Sequence, residues 1–450
     1  MTTPARPLTP SDPRWTTAQR QRWSLIIMFG LFGLLATSWM GRLPSIRDAL
    51  NISTAQLGAL LIVGAVGSLL SVTLAGAIIM RYGSRTVLWF GAWGALTAMI
   101  ILAAGVFTGF MPLFIVGLLL NGLFAPYTNT TINLEGARIE KYLGFSVLPH
   151  MHAAFPVGAA LGSAFAAATA ALNIDATWHI LTVVTVVAIA RVLLINPGTA
   201  LADPPSKRTV VHVDTEAPAP AHGQAAPIGK KVRPAALAAW LEPRTLAIGL
   251  VLFAATMSEG AAGNWLNIGV VDGFGVGESV GALAYGTFVV SMLSVRLLGV
   301  QLLRRFGRLP VLYVSGATAV AGLVAFGLSP LLPLAWLGII LWGMGAAMAW
   351  PVAMAASADD PAKAAARVSV TSSFASVAML GAPPVLGLLA HSWGVRQALL
   401  IIVAALAVSL AATRAAREET VDNETLADSS SDSNDGSDAT PATPALLPVR

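Results

Sequence analysis

The sequence predicts an all-α integral membrane protein, with twelve transmembrane helices in two pseudo-symmetric six-helix bundles. Three observations predict it. Of 450 residues, 56% are hydrophobic and only 11% are charged. Ordinary soluble domains carry roughly 25% charged residues, so this content cannot coat several water-soluble domains. Apolar runs of about 20 residues, the length that spans a bilayer as a helix, recur along the chain. These runs are continuously apolar and lack the period-two alternation of a membrane barrel.

Twelve runs qualify, at 23–41, 55–79, 86–107, 112–136, 149–172, 177–196, 245–269, 277–303, 309–328, 332–357, 366–390 and 396–413. The first does not read as a cleaved signal peptide. It follows 22 polar, proline-dotted residues, and no small-residue cleavage site comes after it. With the N-terminus inside, the inner loops receive most of the basic residues, among them Arg20, Arg22, Arg81, Arg85, Arg138, Lys141, Arg304, Arg305, Arg308, Arg414 and Arg417. The outer side receives only Arg42, Arg47 and Arg396. This asymmetry predicts cytoplasmic N- and C-termini in a plasma (inner) membrane, multi-pass.

Three segments are too polar and proline-rich to offset the entropy of ordering, and are expected to be disordered. They are the N-terminus 1–22, the linker 197–244 and the acidic tail 414–450. The linker separates an N-terminal bundle, 23–196, from a C-terminal bundle, 245–413.

Composition also excludes functions. The chain has no cysteine, so disulfides, thiolate metal sites and cysteine nucleophiles are out. No carboxylate–histidine spacing reads as a metal site. There is no phosphate loop and no Gly-x-Ser-x-Gly elbow, so neither enzymatic activity nor a cofactor is expected. The basic balance, 27 Lys+Arg against 22 Asp+Glu, comes from short loops and an acidic tail rather than from a nucleic-acid surface.

The halves carry an internal repeat. Arg81-Tyr82-Gly83-Ser84-Arg85 follows the second run and Arg305-Phe306-Gly307-Arg308 follows the eighth. The offset from Gly83 to Gly307 matches, to within one position, that from Pro126 in the fourth run to Pro351 in the tenth. Phe155 and Gly162 in the fifth run match Phe374 and Gly381 in the eleventh. Parallel repeats place a site between the halves near the membrane midplane.

On these residues the chain resembles the major facilitator superfamily of secondary transporters. Its loop Gly76-x3-Met80-Arg81-Tyr82-Gly83-Ser84-Arg85 follows the superfamily's hallmark loop, with Met80 where the pattern has an aspartate. Asn133, His152-Ala-Ala-Phe-Pro-Val-Gly158, Glu259-Gly-Ala-Ala-Gly-Asn-Trp265 and Gly343-Met-Gly345 with Pro351 resemble a bacterial branch related to the fucose-permease-like group. That branch often has aspartate where this chain has Asn129 and Asn264. The resemblance implies alternating access, with Gly76, Arg81, Gly83, Arg85, Arg305, Gly307 and Arg308 in conformational-gating loops.

Polar residues at membrane depth are costly and face protein or water. Glu259 lies halfway along the seventh run with no cation nearby in sequence. It is a candidate for proton coupling or substrate contact, or else a structural carboxyl. Gly260 and Gly263 would allow a helix break there, which would let Glu259 and Asn264 aim into one site although they lie about 140° apart on a regular helix. Asn129 and Asn133 share a face with Asn121 and either line a cavity or glue helices together. Glu135 is expected to pair with Arg138. His152 is a second proton candidate. Trp39, Arg42, Trp265 and Trp350 are candidate cavity or gate residues, against the plainer reading of Trp39 as an interfacial aromatic. Arg191 and Arg296 are expected to snorkel to headgroups.

The function expected is a secondary active transporter of a small organic solute, a sugar-like or small polar metabolite symported with protons. A proton-antiport exporter of amphipathic compounds and a uniporter are the alternatives; a membrane receptor or polytopic enzyme lacks supporting features. Its partners are a small-molecule substrate, protons and the lipid bilayer, with no nucleic acid, and a monomer suffices because one chain holds both halves.

Overall fold

The computed structural model describes residues 8–202, 238–360 and 363–418, and these form helices and turns without strands. Among the described residues, twelve helices are long and apolar enough to cross a membrane. In chain order, spans 1 to 12 are Trp15–Met40, Thr54–Tyr82, Ser84–Thr108, Met111–Leu143, Leu148–Ala171, Ala176–Gly198, Pro243–Phe274, Glu278–Phe306, Arg308–Leu328, Leu332–Ser357, Ala364–Trp393 and Val395–Ala416. Both Trp15 and Ala416 lie at one end of the antiparallel array, here the near end. The 41–53 turn, which holds a short helix Leu43–Ala49, lies at the far end.

Most spans match the apolar runs within a few residues, and the differences have local causes. Span 1 begins at Trp15 rather than 23, because Thr16 to Arg22 holds no proline or glycine and continues the helix as a polar turn. The segment expected to be irregular is therefore helical from Trp15, and Leu8 N donates to Tyr142 O at 2.7 Å. Span 4 runs on to Leu143 and stops where Gly144 turns left-handed at φ 72°. Most of the linker (203–237) and of the tail (419–450) lies outside the described residues.

The internal repeat extends to side-chain contacts. Gly83 and Gly307 turn the two equivalent loops at φ 79° and 78°, a conformation that glycine adopts without strain. Beside Gly83, Ser84 Oγ donates to Glu135 Oε1 at 2.5 Å and Gln21 Nε2 donates to Oε2 at 3.2 Å. Beside Gly307, Arg308 Nη1 donates to Asp359 at 2.8 Å and Arg244 Nη2 donates to the same carboxylate at 2.9 Å. The offset from Ser84 to Arg308 equals that from Glu135 to Asp359 and that between the two glycines. One acid at the near end of spans 4 and 10 thus ties each loop to the start of its half. Glu135 is fully buried, and Arg138 completes its neutralisation at 2.6 Å, the pairing expected from the sequence.

Helix contacts join the halves along two seams, span 2 against span 11 and span 5 against span 8. Within the C-terminal half, span 7 packs against spans 8, 10, 11 and 12. Trp342 of span 10 is fully buried, meets Phe288 edge-on at 5.1 Å and donates Nε1–H to Ser258 Oγ at 2.8 Å. The indole therefore fills the core without leaving its donor unpaired.

Two spans depart from their expected regularity in opposite ways. Span 7 is one unbroken helix through Gly260 and Gly263, so the anticipated break is absent. Span 10 is interrupted instead, at Ala347–Met348. Pro351 explains this, because it has no N–H to donate to the Ala347 carbonyl four residues earlier. That carbonyl accepts from a side chain of span 8.

Candidate functional site

The freed carbonyl and the mid-span acid meet on one cation. Arg296 of span 8 donates from Nε to Ala347 O at 3.0 Å and from Nη2 to Glu259 Oε1 at 2.7 Å. Arg296 does not reach to headgroups, contrary to expectation. An acid at membrane depth on the neighbouring span neutralises it more effectively than a surface several helical turns away. Glu259 lacks a nearby cation only along the sequence; the neighbouring span supplies one. The two side chains keep 24% and 21% exposure. Arg296 Nη1 and Glu259 Oε2 make no hydrogen bond among the described residues.

The pair borders open space. A Cβ built on Gly260 would meet nothing within 4 Å, although Gly260 is mid-span. At 100° per residue Gly260 points between Glu259 and Asn264, and both are partly exposed. The regular helix therefore places Glu259 and Asn264 on either side of one opening without any break. Tyr285 of span 8 closes one flank, with its hydroxyl 3.4 Å from where a Gly263 Cβ would lie. Across the half-boundary, Asn129 and Asn133 are partly exposed, and Asn133 Nδ2 donates to Asn129 O and Oδ1 at 2.9 and 3.0 Å. They share a face of span 4 with Gly122, which packs on Gly64 of span 2 at one end, and with Gly136, which packs on Met151 of span 5 at the other. His152 packs edge-on against Phe29 at 4.9 Å and is partly exposed, as is Trp350.

Three other candidates lie elsewhere. Trp39 is buried in the core at 4% exposure. Trp265 is fully buried at the far end, with its ring 3.3 Å from where Cβ atoms on Gly58 and Gly387 would stand. It fills the closed junction of spans 2 and 11 and faces no opening. Arg42 is 3% exposed and pairs with Glu278 at 2.9 Å.

Arg42 is one part of a lock that closes the far end between the halves. Ser45 donates its N–H and Oγ–H to Glu278 at 3.0 and 2.5 Å. Arg47 pairs with Asp272 at 2.5 Å, and this partner raises the Arg47 pKa further above its ordinary value. Asn267 Nδ2 donates to Gly41 O at 2.6 Å, and Ser163 Oγ donates to Ala282 O at 2.5 Å. Sequence reading missed Ser45, Asn267, Asp272 and Glu278. Each looks like an ordinary loop or helix-end residue until its partner in the opposite half is known.

The gating-loop residues sit at the near end. Arg85 donates to Asn196 Oδ1 of span 6 at 3.0 Å. Arg81 and Arg305 lie over the rings of Tyr82 and Phe306, both at 5.4 Å. No Cβ contact would form at Gly76 or Gly307. Met80, in the place of the pattern's aspartate, is exposed. Near this end Arg367 hydrogen-bonds Glu242 at 2.9 Å and holds its carboxyl below the usual range, with Thr245 adding a further hydrogen bond. A depressed carboxyl pKa contributes stability above the unfolded value, and that stability is lost as pH falls through the folded value. Wild type is therefore expected to lose more stability than Glu242→Gln between neutral pH and about pH 3, as read by thermal unfolding in detergent.

Among the described residues no group of three His, Asp or Glu is placed to hold a metal ion. Known proteins resemble the chain in sequence and in fold. A family model described as Major Facilitator Superfamily matches residues 25–381. The uncharacterized transporter y4wD of Sinorhizobium fredii is 29% identical over 378 residues, 83% of this chain and 92% of that protein. A point mutant of the nucleoside transporter NupG superposes with a TM-score of 0.69 at 14% identity, covering 88% of this chain and all of that one. FucP in its outward conformation gives 0.57 at 15% identity, over 88% of this chain and all of its own.

Proposed function

The chain belongs to the major facilitator superfamily of membrane transporters, and from that premise we propose a proton-coupled transporter of a small polar organic solute. It works in the plasma membrane with both termini cytoplasmic, as the loop charges favour. The near end is then the cytoplasmic face and the locked far end is the outer face.

The observation that carries the reading is the Glu259–Arg296 pair at mid-span, whose side chains stay partly exposed beside the open space at Gly260. A carboxylate held by one arginine can release that arginine by taking a proton. The pair then has two charge states, and a solute that prefers one of them shifts the balance. Alternation follows from the two seams, which would have to part at the far end while the near end closes. Asn129, Asn133, Asn264 and Trp350 supply amide and aromatic contacts suited to a hydroxylated solute. The nucleoside transporter of similar fold carries such solutes, which is in keeping with this choice. A monomer suffices, since one chain contains both halves.

Uptake into proteoliposomes tests the reading. A pH gradient is expected to drive accumulation in wild type. Glu259→Gln is expected to lose accumulation while solute exchange without a gradient survives. Equal accumulation in both proteins would move the reading to uniport, which the neutral amides at Asn129 and Asn264 would then serve. Accumulation only against the opposite gradient would make it an exporter.

A further inference from the structure

We propose that the solute is a carboxylate, and that its anion replaces Glu259 on Arg296 in the transport cycle. The inference deepens the reading above and rests on Glu259 being the group that takes the proton.

The bonding of Arg296 is incomplete in a way that fits a second carboxylate. Glu259 uses one oxygen on one nitrogen, Oε1 on Nη2 at 2.7 Å. The carbonyl of Ala347 fixes Nε at 3.0 Å and so orients the guanidinium plane. Nη1 is left over, and once Glu259 releases Nη2 the edge formed by Nη1 and Nη2 is open to an incoming anion; a planar fork of this kind pairs bidentately with a carboxylate. Replacing a buried ion pair with apolar residues is often neutral or stabilising, so helix packing does not by itself call for this one. A neutral sugar would not call for it either.

Charge balance then sets the order of events. The charged and titratable groups facing Glu259 are Arg296 and Tyr285, both on span 8. Span 10 has no ionisable residue. On span 11, Arg367 is committed to Glu242, and on span 12 Arg396 is committed to the Phe326 carbonyl. His391 lies close to the far end of span 11 and is exposed. With Glu259 charged, a carboxylate entering the site would add an uncompensated negative charge. With Glu259 protonated, the same carboxylate restores neutrality on Arg296. One proton therefore enters with each carboxylate and leaves with it, and the site carries no net charge across the membrane.

The test uses matched acids and neutral analogues: gluconate with glucose, lactate with propane-1,2-diol, and benzoate with benzyl alcohol. Ligand-dependent Tm shifts are measured at pH 6 and 7.5 on purified wild type, Glu259→Gln and the double variant Glu259→Gln/Arg296→Gln. The double variant removes both charges together and so avoids a stranded ion. The expected result is stabilisation by at least one acid and by none of the neutral partners. Wild type should bind that acid more weakly at pH 7.5 than at pH 6. Glu259→Gln should bind it at least tenfold more tightly at pH 7.5 and without pH dependence, and the double variant should not bind it. Binding by no acid, equal binding of acid and neutral partner, or acid binding retained in the double variant overturns the proposal. Acid binding through Arg296 with no pH-driven uptake leaves the carboxylate assignment standing and removes proton coupling. Driven uptake of neutral compounds alone does the reverse.

Discussion

Gly58→Trp is expected to hold the far end open and to abolish transport. A single Cβ at Gly58 would stand 2.6 Å from the Pro383 carbonyl oxygen and 3.0 Å from Gly387 Cα. Both neighbours are backbone of span 11 and cannot rotate away. Trp265 already fills the remaining space, 3.3 Å from the same Cβ. Adding even methylenes to a packed contact costs about 1–3 kcal/mol, and an indole against backbone costs more. A shift of about 5.5 kcal/mol carries a two-state equilibrium from 1:99 to 99:1. The chain has no native cysteine, so an introduced one reports alone. Ala282 is fully buried in the seam of spans 5 and 8. Labelling of Ala282→Cys by a maleimide is expected to accelerate by about tenfold or more in the Gly58→Trp background. Unchanged labelling would show that this seam does not open.

Arg296→Ala is expected to be the most damaging single substitution at the candidate site. It strands Glu259 at membrane depth and also leaves the Ala347 carbonyl, already orphaned by Pro351, without a donor. Breaking a buried pair by removing one partner costs about 3–5 kcal/mol. The lower end applies here, because the side chains keep 24% and 21% exposure. Glu259→Ala/Arg296→Ala should be less destabilised than Arg296→Ala, since no lone charge remains. A double-mutant cycle on unfolding in detergent, run with Glu259→Ala as the other corner, reads the coupling directly. A double variant destabilised by the sum of the two single variants would show that the pair contributes nothing as a pair.

The spans are legible in the sequence because a bilayer demands about 20 apolar residues in a row, which is a one-dimensional property. The repeat is legible in the glycines and prolines of equivalent loops for a similar reason. What pairs across helices is not. Glu259 announces itself as costly, yet its partner lies on another span. Arg296 carries the same signal of a charge within an apolar stretch, and from sequence it reads as a headgroup anchor instead. Pro351 is visible as a helix irregularity, whereas the carbonyl it frees gains meaning only beside Arg296. The glycines of span 7 mislead in the other direction: Gly260 marks an opening rather than a break. Trp265 and Arg42 read as cavity residues because polarity and aromaticity do not distinguish a lining from a lock. Ser45, Asn267, Asp272 and Glu278 give no signal, since their role exists only where two halves meet.

Proton-coupled alternation requires that protonation of Glu259 bias the opening of the far end. Ala49 and Ser279 sit on opposite sides of the lock, beside Ser45 and Glu278 respectively. Spin labels on cysteines at these two positions report far-end separation as a distance distribution, with no knowledge of the substrate. We predict two populations, a short one for the locked state and a longer one for the open state. Their ratio should change between about pH 5.5 and 8 in the otherwise unaltered protein and stay fixed in Glu259→Gln. One population, or a ratio that responds to pH equally in both proteins, would contradict this coupling.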